Sequence, residues 1–119
     1  MNKVAIYVRC ATNGPDNNLI SQVEMCLMTL KNGKHQLQDV VVDNGVSGTS
    51  LERTGIRKLI ELSKNKIIDT VLAFDSERIS RNLADHSKLE GLLSEQGVKI
   101  MYVMQPLFLS LKSKKYGKR

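Results

Sequence analysis

The 119-residue chain has no tryptophan, two prolines, two cysteines, two histidines and only 4% aromatic residues. Each shortage removes a class of protein. So few aromatic rings offer no stacking platform for single-stranded nucleic acid. Cys10 and Cys26 fall in apolar patterns without metal-ligand spacing, and His35 and His86 are far apart in sequence. Both thiols therefore read as buried groups in a reducing compartment, and no metal site is expected. Long hydrophobic runs are missing too: the longest, 98–111, is broken by Lys99, Gln105 and Pro106. That falls short of the roughly 20 residues of a membrane span. Arg9 interrupts the N-terminal apolar run too early for a signal peptide, so a cytoplasmic location without membrane partners is expected.

What is present is ordinary in amount and unusual in placement. Hydrophobic residues make up 41% and charged residues 25%, which are globular averages and exclude disorder, collagen-like repeats and a coiled-coil rod. A chain of this length is one domain able to bury a core without disulfides or metal. The formal charge is +6, but Lys112, Lys114, Lys115, Lys118 and Arg119 supply five of those charges. Residues 1–111 hold thirteen cationic side chains against twelve acidic ones. A basic tail of this kind is commonly a solvated end, so net charge alone says little about partners.

Along the chain, short β-branched runs alternate with helical stripes. Val4–Cys10 reads as a strand, followed by the turn formers of residues 13–18. Apolar residues at 19, 23, 26, 27 and 30 form a helical stripe that Asn32-Gly33 can close with a left-handed cap. Asp39–Asp43 is a second strand, and Ile56, Leu59, Ile60 and Ser63 form one face of a second helix. Ile67–Phe74 is a third strand, nearly continuous in apolar residues as a strand buried on both faces should be. Asn82 with Asp85 resembles a capping box opening a helix with Leu89, Leu92 and Leu93 inward and Gly97 at its end. Val98–Met104 is a fourth strand. The alternation predicts an α/β fold, a mostly parallel sheet of at least four strands with helices on both faces.

In open sheets of this kind ligands bind beyond the carboxyl ends of the strands. There the sequence places Arg9, Ala11 and Thr12 after the first strand, Asp43, Ser47, Gly48 and Arg53 after the second, and Glu77, Arg78 and Arg81 after the third. Four arginines and two carboxylates thus gather at one rim. Arginine suits phosphate because its planar fork makes paired, charge-assisted hydrogen bonds and stays ionised. A phosphate or phosphodiester site is expected, and the absence of a Gly-rich phosphate loop with its lysine argues against a nucleotide triphosphatase.

These residues resemble a known family. Tyr7-Val8-Arg9, Asp43 with Gly45-Val46-Ser47-Gly48 and Arg53, and Glu77-Arg78-Ile79-Ser80-Arg81-Asn82 look like the three signature segments of the serine recombinases, the resolvase/invertase family. Leu19 and Gln22 resemble its Leu-x-x-Gln. The likeness spans roughly residues 3–106 and implies a resolvase-like catalytic domain at 1–106 with a short basic tail at 107–119. It implies a transesterification on double-stranded DNA: a serine hydroxyl attacks a phosphodiester, forming a 5′-phosphoserine and freeing a 3′-hydroxyl. Charge on the pentacovalent transition state would be met by guanidinium groups, with no metal or cofactor. By resemblance Arg9, Arg78 and Arg81 contact the scissile phosphate with Arg53 assisting, and Asp43 and Glu77 orient them or assist proton transfer. Tyr7, Gln22, Ser47 and Asn82 are further candidates for phosphate or DNA contact. Partners implied are DNA and other recombinase subunits, as dimer or tetramer.

Two departures qualify the resemblance. The family pattern reads Arg, any residue, Ser, whereas this chain reads Arg9, Cys10, Ala11. The nucleophile position is an alanine, and its methyl group cannot attack phosphorus. Strand parity sets Tyr7, Arg9 and Ala11 on one face and Cys10 on the other, so Cys10 is a poor substitute, and Thr12 shares its parity problem. Family members also continue into a long dimer helix and a DNA-binding domain, and neither pattern is expected in residues 107–119. The chain thus reads as a recombinase catalytic domain impaired in cleavage. The alternatives are a non-catalytic recombinase-like regulatory module and an unrelated doubly wound phosphate-binding protein.

Overall fold

The computed structural model describes residues 1–10, 19–31, 33–45 and 51–104. The strands are β1 (Asn2–Cys10), β2 (His35–Asn44), β3 (Thr70–Ala73) and β4 (Lys99–Tyr102). The helices are α1 (Leu19–Leu30), α2 (Thr54–Lys64), the four-residue α3 (Ser76–Ile79) and α4 (Leu83–Glu95). All strand pairings are parallel, in the order β2-β1-β3-β4. This is the α/β architecture that the alternation of strands and helices predicts.

Parity along β1 sorts the core into two layers. Val4, Ile6 and Val8 pack with Cys26 and Leu72 beneath Leu19, Val23 and Leu30 of α1. Ala5 and Tyr7 face the opposite way, against Ile56 and Leu59 of α2, Ile79 of α3, and Leu89 and Leu93 of α4. Helices on both faces explain why Val4–Val8 is wholly buried and apolar. The chain leaves β1 toward β2 under α1, then crosses back to β3 and β4 through α2 and α4. That reversal puts the switch point of the sheet between the carboxyl ends of β1 and β3, the place where open sheets of this kind bind ligands.

Several local expectations are corrected. Leu27 is 41% exposed, because it lies one residue, about 100° of helix, beyond the buried line through Leu19, Val23, Cys26 and Leu30. Gln22 occupies the inward place instead. Leu92 is displaced from the Leu89–Leu93 line in the same way and is partly exposed. Gly33 is not in the left-handed region, and Asn32 lies outside the described residues. Gly97 does end α4 with φ 78°. β3 begins only at Thr70, after Lys66 turns the chain at φ 59°, and β2 begins earlier, at His35, where it pairs with Asn2. Asn82 caps α4 by accepting from the amides of Ala84 and Asp85, but its own amide donates to Ser80 Oγ rather than to Asp85.

The contrast between layers predicts a stability pattern. Ile6→Ala should cost about 2–5 kcal/mol in urea unfolding, since it empties a fully buried site in the central strand. Ile20→Ala, at a position 77% exposed on α1, should stay within about 0.5 kcal/mol.

Candidate functional site

The end of β1 is where the backbone itself first needs help. The carbonyl of Lys3 accepts from the Asp69 amide on the β3 side, whereas that of Cys10 accepts from the Gly45 amide on the β2 side. Odd-numbered residues of β1 therefore turn their backbone polar groups toward β3. β3 stops at Ala73, opposite Tyr7, so Arg9 lies past its reach. Gln22 of α1 supplies both missing partners: its Oε1 accepts from the Arg9 amide at 3.2 Å and its Nε2 donates to the Arg9 carbonyl at 3.0 Å. Gln22 is buried, and its amide is engaged with the chain rather than turned toward solvent.

The Arg9 side chain, 1% exposed, runs under α3. Its Nε donates to the Arg78 carbonyl at 3.1 Å and its Nη2 to the Glu77 carbonyl at 2.8 Å. Arg53, also buried, joins the same carbonyl group: Nη2 donates to the Ile79 carbonyl and Nη1 approaches the Arg78 carbonyl at 3.4 Å. A four-residue helix leaves its last carbonyls without intrahelical partners, and two guanidinium groups take that place.

Arg53 is held from the other side by Tyr7. Its Nη1 donates to Tyr7 Oη at 2.8 Å, and Tyr7 Oη in turn donates to Asp43 Oδ2 at 2.7 Å. The other carboxylate oxygen of Asp43 accepts from the Gly55 amide at 2.8 Å. Arg53 is the N-cap residue of α2 and makes no side-chain cap, so Asp43, arriving from β2, caps that helix. The fit requires glycine: a Cβ at Gly55 would lie 2.4 Å from Asp43 Oδ2. Burial and the bond to Asp43 push the Tyr7 hydroxyl well above the usual tyrosine range. Tyr7 is therefore a neutral donor at any physiological pH.

Arg78 and Arg81 are placed differently. Arg78 is half-buried, with its guanidinium 6.0 Å from the Phe74 ring and its Nε 3.7 Å from Asp75 Oδ1. Those two atoms are buried without a hydrogen-bond partner. Glu77, Arg81 and Asn82 are exposed. Burial lowers the Arg9 guanidinium below its ordinary value, and Arg53, Arg81 and Arg78 push the same way. Arg9 is thus close enough to feel the other three arginines, which come from two further segments of the chain. Ala11, Thr12, Ser47 and Gly48 lie outside the described residues, and Cys10 is half-buried.

Sequence reasoning did not single out Gly55, Asp75 or the pair of His86 and Tyr102. Nothing in a Thr-Gly dipeptide announces that a distant carboxylate needs the missing Cβ. His86 borders a cleft of about 400 Å³ shared with Ser76, Glu77, Ser80, Arg81 and Leu83. Its Nε2 shares a hydrogen bond with Tyr102 Oη, and the rings stack at 5.9 Å. Burial lowers the imidazole below its usual range, with Glu90 opposing.

The family profile described as "Resolvase, N terminal domain" matches residues 4–115. The chain belongs to the resolvase family. This resolvase-family domain is 30% identical over 105 residues to a Bacillus subtilis (strain 168) protein named "Putative DNA recombinase", covering 84% of the chain but only 20% of that relative's length. It is similar to the N-terminal catalytic domain of TP901-1 integrase, with TM-score 0.80 and 28% identity over 85% of this chain and 77% of that one. A resolvase family site-specific recombinase from Streptococcus pneumoniae shares the fold, with TM-score 0.76 and 23% identity over 97% of this chain and 85% of that one. Among the described residues no helix of the resolvase domain is long and apolar enough to cross a membrane.

Two outcomes test the described network. Gly55→Ala, which in an exposed helix would stabilise, should instead cost about 1–3 kcal/mol, because the Asp43 carboxylate must withdraw from the amide it caps. His86 prefers its neutral form in the fold. The unfolded chain therefore takes up a proton first, near pH 6.5, and the stability contributed by His86 is present above that pH and lost as pH falls. Urea unfolding between pH 7.5 and about 5 should show that decline, and His86→Gln should flatten it.

Proposed function

We propose that this chain is the catalytic domain of a serine-type site-specific DNA recombinase, with phosphodiester cleavage impaired by alanine at position 11. The observation that carries the reading is the convergence of Arg9, Arg53, Arg78 and Arg81 at the switch point of the sheet, where the Arg9 guanidinium is disfavoured first by burial and then by the other three. Such a cluster gains when an anion arrives, and a scissile phosphate is the anion on which this family acts. The roles differ by placement. Arg78 and Arg81, half-buried and exposed, are the side chains within reach of a phosphate. Arg9 and Arg53 lie beneath and fix α3, the segment that carries Arg78. Tyr7, Asp43 and Gln22 are positioning residues in this reading: they hold Arg53, the start of α2 and the end of β1.

In an active member a serine oxygen forms the new bond to phosphorus while the 3′-oxygen leaves and takes up a proton. Alanine at position 11 offers no such oxygen. Everything else named above supports the reaction without performing its first step. A second reading has the same support: an intact arginine network around an absent nucleophile suits a subunit that joins active recombinases and regulates them. The core domain in both readings is residues 1–106.

Two measurements test the proposal. Arg78→Ala and Arg81→Ala should each weaken binding to a short DNA duplex in fluorescence anisotropy and lower the salt-dependence slope by about 1, as loss of one phosphate contact does. In denaturing gels of the chain with DNA bearing a phosphorothiolate trap, Ala11→Ser should yield a covalent protein–DNA adduct and the unaltered chain none. An adduct from the unaltered chain, abolished by Cys10→Ser, would overturn the assignment of position 11. Co-purification of the unaltered chain with an intact recombinase, without cleavage, would select the regulatory reading.

A further inference from the structure

The outward face of α1 is the one apolar helix surface among the described residues that nothing above employs. Ile20 is 77% exposed, Met28 59%, Leu27 41% and Met25 40%. With Ser21, Glu24 and Lys31, the last three line a shallow groove of about 500 Å³. A soluble domain rarely leaves four large apolar side chains together in water without use. Their spacing is informative. Glu24, Leu27, Met28 and Lys31 stand at i, i+3, i+4 and i+7, so they share one face of the helix and its end. Two of these positions carry charge, Glu24 near the middle and Lys31 at the end. Neither has an ion-pair partner among the described residues.

The pattern is complementary to itself. A two-fold axis crossing α1 between Leu27 and Met28 sets Leu27 of one copy against Met28 of the other. The same operation sets Glu24 against Lys31 of the partner subunit, and Lys31 against Glu24 of the partner subunit. Each charge then meets its opposite once, giving two symmetric pairs that flank an apolar centre, which is what an isologous contact requires. A parallel arrangement would instead set Glu24 on Glu24 and Lys31 on Lys31. We propose that α1 is a self-association surface and that its occupant is α1 of a second copy of this chain, packed antiparallel.

The contact is small. A 12-residue helix is about 18 Å long, too short to bury the area of a standard stable interface, so the association is weak and concentration-dependent. The surface lies on the sheet face opposite α2 and α4, and it uses none of the arginine network. It is therefore independent of the reading proposed for that network.

Sedimentation equilibrium of the 119-residue chain at low salt, from about 10 µM to 1 mM, tests this directly. The mass should rise from the 13.3 kDa of one chain toward twice that value. Glu24→Lys and Lys31→Glu should each weaken the dimer by about tenfold, the double exchange should restore it, and Met28→Asp should abolish it. All three positions are exposed, so each variant keeps its fold, which circular dichroism verifies. Backbone amide shifts that change with concentration should be confined to α1. A mass that stays monomeric throughout would overturn the proposal and leave the face to a different partner. Association that the double exchange does not restore, or shifts centred on another element, would overturn it equally.

Discussion

Two guanidinium groups buried beneath a four-residue helix hold the functional end of this domain together. α3 is too short to satisfy its own last carbonyls, and Arg9 and Arg53 are too buried to find water. Each deficiency answers the other. The backbone oxygens of Glu77, Arg78 and Ile79 accept from the arginines, and the arginines keep their charge in the interior because those dipoles face them. Removing either side would strand the other without partners. The arrangement ties β1, α2 and the segment after β3 into one unit.

Around that junction the remaining polar groups of the site serve position as much as chemistry. Asp43 spends one oxygen on the Gly55 amide and the other on Tyr7, whose hydroxyl also receives Arg53. Gln22 closes the end of β1, where β3 no longer supplies hydrogen bonds. In the proposed function, cations fixed in this way would need little rearrangement to meet a phosphate, which is how preorganised charge lowers a barrier. The same framework persists with alanine at position 11, since none of these bonds involves that side chain.

Much of the fold was legible in the sequence because it depends on period and alternation. The apolar runs at Val4–Cys10 and Ile67–Phe74 and the Leu89–Leu93 spacing locate two strands and a helix, though the third strand keeps only Thr70–Ala73 of its run, and parity along β1 sorts the two core layers correctly. Boundaries were less legible. β2 extends to His35 because β1 offers a neighbour there, which polar residues such as Gln36 and Gln38 do not advertise. α3 was not foreseen, since four residues carry no periodic signal and its stability comes from arginines distant in the chain.

The sequence by itself determined the α/β architecture and the family, through the order and spacing of three short motifs around Arg9, Asp43 to Arg53, and Glu77 to Arg81. It also carries Ala11 two residues after Arg9, the position that the resemblance reads as the nucleophile's. Only the tertiary structure decided what each motif residue touches. Four arginines that look equivalent in sequence separate into two that are buried on backbone carbonyls and two nearer the surface. Asp43, which resembles a catalytic carboxylate, becomes the cap of a helix it does not belong to, and Gly55 matters only because that carboxylate approaches it. The reason is physical: periodicity is local and survives in the sequence, whereas a hydrogen-bond partner far along the chain exists only once the sheet has brought the two segments together.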